Sequence, residues 1–173
     1  PEENKSLVEI GQCIVAKPDF PGPIFRDAVI LVIQKERGTI AGVIVNKTAD
    51  DKLGDLMSKY EGCNLRVSDG GPVQKDEAAI WIHKLGDKLV GSRKIMSNLY
   101  SVGNLDAIKD DLKTNKLTES DIRFFNGFVS WKEDQFAKEY NIWKDWYIMD
   151  VNQDDILSSE TSNLWENLIK QIK

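Results

Sequence analysis

The chain has 173 residues, of which 41% are hydrophobic and 29% charged, and its formal net charge at pH 7 is −5. This length suits one domain with its own core, and the composition lies far from the polar, highly charged compositions of disordered chains. The negative charge disfavours direct binding to DNA, which generally needs clustered lysine and arginine. We therefore expect a single domain over residues 1–173, in which residues 1–10 form a flexible lead.

The sequence predicts a protein of the cytoplasm with no membrane-spanning segment. Its longest apolar run covers residues 28–33, far short of the about 20 residues that a membrane-spanning helix needs. The polar N-terminus lacks the basic-then-apolar order of a secretory signal. Cys13 and Cys63 are far apart in the chain, and we expect both to be reduced, buried thiols rather than halves of a disulfide.

The first predicted elements are three strands. Residues 13–16 alternate as a short strand, which ends where three prolines between residues 18 and 23 forbid regular pairing. Residues 28–34 and 40–46 are rich in valine and isoleucine and are joined by a short segment that contains Gly38, which predicts a hairpin. Both hairpin strands are almost continuously apolar, so we expect them to be central and covered on both faces.

The middle of the chain mixes helices and strands. Apolar residues between 53 and 60 repeat at helical spacing, and residues 78–82 form another strand after a Gly-Gly-Pro turn. A helix is expected to begin near Asn104, and residues 118–121 resemble a capping box. A long strand follows over residues 122–131, with Gly127 as the site of a bulge or a close backbone approach.

The last predicted elements are a helix at residues 132–140, a strand at residues 143–149 and a C-terminal helix at residues 164–172. Strands and helices alternate irregularly rather than as repeated strand-helix-strand units, which disfavours a parallel nucleotide-binding sheet. The sequence therefore predicts an α+β fold.

The stretch from Gly70 to His83 suggests an active-site loop, but its residues fit no familiar chemistry. Gly70-Gly71-Pro72 lacks the lysine and serine or threonine that complete a phosphate-binding loop, so we interpret it as a structural turn. His83 is the only histidine, and a G-x-S-x-G elbow that would present a serine nucleophile to it is absent from the sequence. The cysteines and His83 do not have the paired spacing of a zinc site, so we expect no metal.

Two other stretches allow more than one interpretation. Residues 84–94 are the most basic window of the chain and indicate either an anion-binding segment or an ordinary lysine-rich loop. The aromatic residues between 124 and 147 indicate core packing for most of them, with one or two at the rim of a cleft.

Four blocks match the pattern of one bacterial family in order. The first runs from Pro23 to Val29, and the second, residues 38–47, ends in Asn46-Lys47. The third contains Gly70-Gly71-Pro72 and the strand ending at His83. The fourth has the spacing G-[YF]-x-x-W-x-x-x-Q-x-x-x-E, with Gly127, Trp131, Gln135 and Glu139 at its fixed positions. On these blocks the chain resembles the YqgE/AlgH family.

The resemblance implies an α+β fold made of a single compact domain, with a branched mixed β-sheet of partly barrel-like character flanked by helices. It implies no particular reaction and no cofactor. Members of the family are commonly labelled transcriptional regulators, although this sequence has no recognisable helix-turn-helix. We therefore expect a non-enzymatic accessory or regulatory protein of bacteria.

The leading hypothesis is a groove that binds a protein partner or a small anionic ligand, because stiff loops and glycines cluster in the family-matching blocks. The candidate groove residues are Pro23, Phe25, Arg26, Asn46, Gly70, Gly71, Pro72, His83, Gly127, Trp131 and Gln135. One alternative is a hydrolase in which His83 acts with a nearby carboxylate while Arg26 or Asn46 holds the substrate. The other is a weak nucleic-acid binder that uses residues 84–94.

Overall fold

The computed structural model describes residues 7–158 and 161–172. Within them the strands are β1 (Cys13–Ala16), β2 (Val29–Glu36), β3 (Thr39–Ile44), β4 (Val67–Asp69), β5 (Ala79–His83), β6 (Arg93–Met96), β7 (Leu99–Ser101), β8 (Ile122–Asn126), β9 (Val129–Lys132) and β10 (Trp146–Met149). The α-helices are α1 (Leu53–Leu56), α2 (Lys109–Lys113), α3 (Glu133–Asn141), α4 (Gln153–Ile156) and α5 (Leu164–Ile172). Short 3₁₀ helices cover Ser58–Tyr60, Gly86–Lys88 and Leu105–Ile108.

The first sheet is antiparallel throughout and has the order β10-β1-β2-β3-β9, so β10 and β9 form its edges. Its central hairpin, β2–β3, is the one that the valine- and isoleucine-rich runs predict. Arg37 and Gly38 connect the two strands with φ angles of 52° and 76°, and two positive φ angles are what a type I′ turn requires. Successive residues of β2 are buried on both faces, which confirms the expected central position.

The second sheet has the order β4-β8-β5-β7-β6. Its β4–β8 pair is parallel, and the other pairs are antiparallel. The backbone of β4 also bonds to the chain that follows β3, since the Val67 amide donates to the carbonyl of Asp51 at 2.9 Å. The outer side of β4 is therefore covered by chain from the first half of the molecule.

The two sheets meet where one extended segment passes from the second to the first. β8 ends at Asn126, Gly127 takes a φ of 78°, and β9 begins at Val129. At the same place the Ile44 amide of β3 donates to the carbonyl of Gly70 at 2.9 Å. The branched mixed sheet thus consists of two five-stranded sheets that share this junction, and the α+β prediction is confirmed.

Three groups of buried apolar side chains hold the layers together. The central group combines both sheets with α4 and α5, through residues such as Leu31, Phe125 and Leu157. The other face of the first sheet is covered by α3 and the proline-containing loop. The other face of the second sheet is covered by α1, α2 and the 3₁₀ helices. This layering explains why the hairpin strands are apolar on both faces.

Several short elements were not predicted, namely β4, β6, β7 and α4. The window at residues 84–94 forms a 3₁₀ helix and the start of β6 rather than a plain loop. The last strand begins at Trp146, three residues later than expected. Of the expected flexible lead, residues 1–6 lie outside the described residues, whereas Val8 is fully buried.

Candidate functional site

An open groove lies beside the junction of the two sheets and has a volume of about 350 Å³. This volume falls at the lower end of the range for ligand sites, roughly 300–1,000 Å³. Its lining residues are Leu53, Leu56, Met57, Val67, Asp76, Glu77, Ala78, Ala79, Phe124, Phe125 and Asn126. The groove therefore has apolar walls with three polar side chains among them, which is the usual character of a binding site.

The polar residues of the groove are tied to one another. The Asp76 amide donates to Oδ1 of Asn126 at 2.7 Å, and Nδ2 of Asn126 donates back to Oδ1 of Asp76 at 2.9 Å. Asp76 has a φ of 69°, a conformation that aspartate tolerates better than most residues. This reciprocal pair fixes the turn that follows the Gly-Gly-Pro segment against the end of β8.

All of the predicted site residues lie in the described part of the chain, and none of them lines this groove. The groove walls come from α1, β4, the start of β5 and the end of β8, which are far apart in sequence. The acidic pair Asp76-Glu77, which lines the groove, was not among the predicted site residues. A usable signal was the position of these acids directly after a turn that the family pattern marks.

The predicted residues at the sheet junction are Gly70, Gly71, Pro72 and Gly127, and the structure brings them together. The Gly70 amide donates to the carbonyl of Asn126 at 2.9 Å. A Cβ atom on Gly71, whose φ is 146°, would collide with the carbonyl oxygen of Phe128. The glycines are buried and Pro72 is exposed. The turn therefore allows two backbones to approach closely, immediately behind the groove.

Asn46 holds the end of the proline-containing loop in place. Its Nδ2 donates to the carbonyl of Asp27 at 2.8 Å, and its Oδ1 accepts from the amide of Val29 at 2.9 Å. Lys47 Nζ donates to the carbonyl of Ile24 in the same loop. The Asn-Lys pair of the family pattern thus binds the backbone of another family-matching block.

Phe25, Trp131 and Gln135 belong to one aromatic cluster on the outer face of the first sheet. The ring of Phe25 lies 6.5 Å from that of Trp131 and 5.8 Å from that of Trp146. Glu139 Oε1 accepts from the indole nitrogens of Trp131 at 3.2 Å and Trp146 at 2.8 Å.

The Gln135 side chain donates to the second oxygen of the same carboxylate, Oε2 of Glu139, at 3.1 Å. The Trp-Gln-Glu spacing therefore produces a hydrogen-bonded cluster that runs from the buried Trp131 to the exposed Gln135. Pro23 and Arg26 lie on the exposed part of the loop that contributes Phe25.

His83 lies in the interior of the second sheet and is fully buried. The Leu85 amide donates to Nδ1 at 3.1 Å, so Nδ1 carries the lone pair and Nε2 carries the proton. Nε2 then donates to the carbonyl of Val102 at 2.7 Å. Burial lowers the pKa of the imidazole below its ordinary value, and the bond to Val102 opposes this shift.

Ser92 lies next to this histidine, with its Oγ 3.1 Å from Nε2 of His83. A serine nucleophile would need an unprotonated ring nitrogen to receive its proton. In this arrangement the nitrogen that faces Ser92 already carries a proton. The Ser92 hydroxyl itself donates to the carbonyl of Leu89 at 2.6 Å. The geometry is that of a structural network and gives no support to a hydrolase dyad.

Arg123 lies in the strand before Gly127 and was not predicted as a site residue. Arg123 is 3% exposed, and its guanidinium donates to the carbonyls of Val45 at 2.9 Å and Ile156 at 2.8 Å, and to Ser68 Oγ at 2.7 Å. Burial lowers its pKa to about 10, so it stays charged at neutral pH. Among the described residues no carboxylate lies within ion-pair distance of it. Through its bonds to Val45 and Ile156, Arg123 links the C-terminal end of α4 to the junction of the two sheets.

The described residues hold no cluster of three or more histidine, cysteine, aspartate or glutamate side chains that could bind a metal ion. Both cysteines are buried, free thiols, as expected. Burial raises the pKa of Cys13 to about 12 and also raises that of Cys63, which leaves both thiols protonated at neutral pH.

The AlgH-like family, DUF179, matches residues 13–173, which include every block of the sequence pattern and the whole junction. The chain belongs to the AlgH-like family. Among its relatives, a UPF0301 protein of Chlorobaculum tepidum is 25% identical, with 95% of this chain and 87% of the relative covered. A UPF0301 protein of Pelodictyon phaeoclathratiforme is 27% identical, with 94% and 86% covered.

Two solved structures show the same AlgH-like fold. The crystal structure of a protein from Corynebacterium diphtheriae has a TM-score of 0.78 at 17% identity and covers 98% of this chain and 91% of its own. The solution structure of the AlgH protein from Pseudomonas aeruginosa has a TM-score of 0.72 at 13% identity, with 97% and 92% covered. In the described part of this AlgH-like chain, every helix is too short or too polar to cross a bilayer.

Proposed function

We propose that this AlgH-like chain is a non-enzymatic accessory or regulatory protein of bacteria that binds a protein partner through the groove beside the sheet junction. The observation that carries this proposal is the apolar surface that solvent can reach inside the groove. Leu56 is 49% exposed at the wall of the groove, which the buried residue Phe124 also lines. Exposed apolar side chains grouped in a concave site are typical of places where another molecule binds.

A protein partner suits the groove better than a small anionic ligand. Asp76 and Glu77 both line the groove, and their carboxylates would repel an anion placed between them. The only cationic side chain of the neighbouring turn, Lys75, is paired with Asp69. An anion would find no charge of opposite sign among the lining residues.

A nucleic-acid partner has little support from the basic window. Lys84 pairs with Asp154 at 3.2 Å, and Arg93 pairs with Glu36 at 3.2 Å. Acidic neighbours thus balance part of the positive charge that would have to contact phosphates. Base stacking would need an exposed aromatic ring near the basic window. The exposed indole of Trp143 instead lies at the end of α3, beside the first sheet rather than the second.

We place the action of the protein in the cytoplasm. The support is the chemistry of its cysteines, because two buried, free thiols suit a reducing compartment and a disulfide is the more common use of cysteine outside it.

The test compares partner recovery by three purified forms of the protein, namely the wild type, Leu56→Asp and Val90→Asp. Leu56 lines the groove, whereas Val90 is 78% exposed and lies outside it, so the second variant adds the same charge elsewhere. We expect to recover a partner that binds the wild type and Val90→Asp but does not bind Leu56→Asp. The interaction is then measured by calorimetry with the purified partner.

Circular dichroism and urea unfolding establish that both variants are folded before the comparison. Equal recovery of the partner by all three forms would show that the groove is not the binding surface. Absence of any specific partner for the folded wild type in extracts of the native host would count against the proposed function as a whole.

A further inference from the structure

We infer that the groove receives one large apolar side chain of the partner, carried on a segment with lysine or arginine on either side of it. This inference rests on the proposed function and specifies the chemistry of the partner segment. It follows from the size of the groove, from the depth of its apolar floor and from the charges at its mouth.

The floor of the groove is formed by residues that are almost inaccessible to solvent. Leu53 and Phe124, which pack in the same group of apolar side chains, are each 1% exposed. The volume of about 350 Å³ is enough for a single large side chain and too small for a folded element. An apolar side chain placed on this floor would gain about 25 cal/mol for each Å² of apolar surface that it removes from water.

The walls of the groove can adapt to the side chain that enters. Leu56 is half exposed and Met57 is partly buried, and both lie at the end of the short helix α1. Methionine is unbranched and fills irregular gaps, which makes it common on binding surfaces. After Asp76 and Glu77, the lining continues with the small side chains of Ala78 and Ala79, which leave space for a larger side chain of a partner.

The charged side chains that line the groove itself have one sign. Asp76 and Glu77 line it, and Asp55 is exposed on α1. Within residues 7–158 and 161–172, none of these three carboxylates forms an ion pair with a lysine or arginine. Lys75 lies next to Asp76 in sequence, but its ammonium group is paired with Asp69. The flanks of a bound segment would therefore be attracted if they were basic and repelled if they were acidic.

The experiment follows the backbone amides of the ¹⁵N-labelled protein by NMR during titration with three end-blocked peptides. The sequences are Gly-Lys-Leu-Lys-Gly, Gly-Glu-Leu-Glu-Gly and Gly-Lys-Ser-Lys-Gly. We expect the first peptide to shift amides of the groove residues, with Kd rising as salt is added because the charges are solvent-exposed. The second and third peptides should bind at least about threefold more weakly.

The matched variant is Glu77→Gln, which keeps the size of the side chain and removes its charge. We expect it to weaken binding of the Lys-Leu-Lys peptide by about two- to fivefold and to leave binding of the Glu-Leu-Glu peptide unchanged or slightly stronger. Glu61→Gln, an exposed glutamate outside the groove, should leave binding of both peptides unchanged.

The outcomes separate the inference from the proposed function. Equal binding of the two leucine peptides in the groove would overturn the basic flanks while leaving a partner-binding groove intact. If the amide resonances of the groove residues shifted with protein concentration in the absence of peptide, the groove would bind a second copy of the chain. That result would overturn the inference. If no peptide shifted the amides of the groove and Leu56→Asp still bound the partner, both the inference and the proposed function would be contradicted.

Discussion

The backbone of Gly127 packs directly against that of Gly71, and a Cβ atom on Gly127 would collide with the carbonyl oxygen of Gly71. The same crowding applies to Gly70, whose Cβ atom would collide with the carbonyl oxygen of Gly127. The segment that changes sheets and the Gly-Gly-Pro turn thus cross with no room for side chains. This crossing sets the position of Asn126 and Asp76 and with them one end of the groove.

Substitution of a junction glycine should be far more costly than substitution of a turn glycine with the same backbone conformation. Gly127 and Gly38 have φ angles of 78° and 76°, but a Cβ atom on Gly38 would meet nothing within 4 Å. Gly38→Ala should cost about 1 kcal/mol of unfolding free energy, from backbone strain alone. Gly127→Ala should cost about 3 kcal/mol or more, because backbone atoms must also move. Urea unfolding of both variants measures the difference, and similar losses would show that the junction relaxes easily.

Removal of the Glu139 carboxylate should destabilise the aromatic cluster. Glu139→Ala leaves the indole nitrogens of Trp131 and Trp146 without their acceptor, at an expected cost of about 2 to 4 kcal/mol. Glu139→Gln keeps one acceptor oxygen and should lose less than half as much. Lys138→Ala, at the neighbouring exposed position of α3, should change stability by less than about 0.5 kcal/mol. Chemical denaturation of the three variants ranks them, and equal effects of Ala and Gln at position 139 would contradict the role of the two indole bonds.

The buried guanidinium of Arg123 should contribute more to stability than an exposed one. Arg123→Met leaves the carbonyls of Val45 and Ile156 without a donor, and we expect a loss of about 2 to 5 kcal/mol. Arg66 is exposed and lies 3.9 Å from Asp50, so Arg66→Met should change stability by less than about 0.5 kcal/mol.

Hydrogen exchange provides a local test of the same contact. Amides of α4 should exchange faster in Arg123→Met than in the wild type, because the bond to Ile156 is the one that fastens α4 to the junction. Unchanged protection of α4 would show that its apolar contacts suffice without the arginine.

The burial of His83 should make stability depend on pH. The pKa of His83 is lowered in the folded state, so the unfolded chain binds a proton more readily. The contribution of neutral His83 to the free energy of unfolding is complete above the ordinary pKa of 6.5. This contribution is lost as the pH falls from there towards the lowered pKa of the folded state. Urea unfolding of the wild type and of His83→Gln between pH 8 and pH 5 isolates this contribution. The variant should show a smaller decrease, and parallel curves would contradict the buried, neutral histidine.

Much of the fold could be predicted from the sequence because its central strands carry a strong local signal. The runs at residues 28–34 and 40–46 are too apolar to be anything but covered strands, and Gly38 suits the turn between them. Gly127 was recognised as a break in a strand. The blocks that resemble the YqgE/AlgH family were also sufficient to place the chain in its family.

The candidate site was not predictable in the same way, because its parts are short and come from distant segments. β4 spans only Val67–Asp69, and three residues are too few to show the periodicity of a strand. Its pairing with β8 in the folded molecule is what identifies it as a strand. The conspicuous residues make structural contacts that the sequence did not predict: Asn46 bonds to the backbone of a loop, Trp131 packs in a cluster, and His83 is bonded at both ring nitrogens. Asn46 and His83 bond to backbone groups, and Trp131 bonds to the Glu139 carboxylate, and no sequence motif identifies these groups as partners.

The α+β class, the central hairpin and the family could be predicted from the chain alone, since they follow from hydrophobic periodicity and from residues at fixed spacing along one strand or helix. The position of the groove, its lining residues and the charge of its mouth became visible in the folded molecule. The physical reason is that a concave surface arises where separate elements pack side by side. The burial of His83 and the open apolar wall at Leu56 both result from that packing.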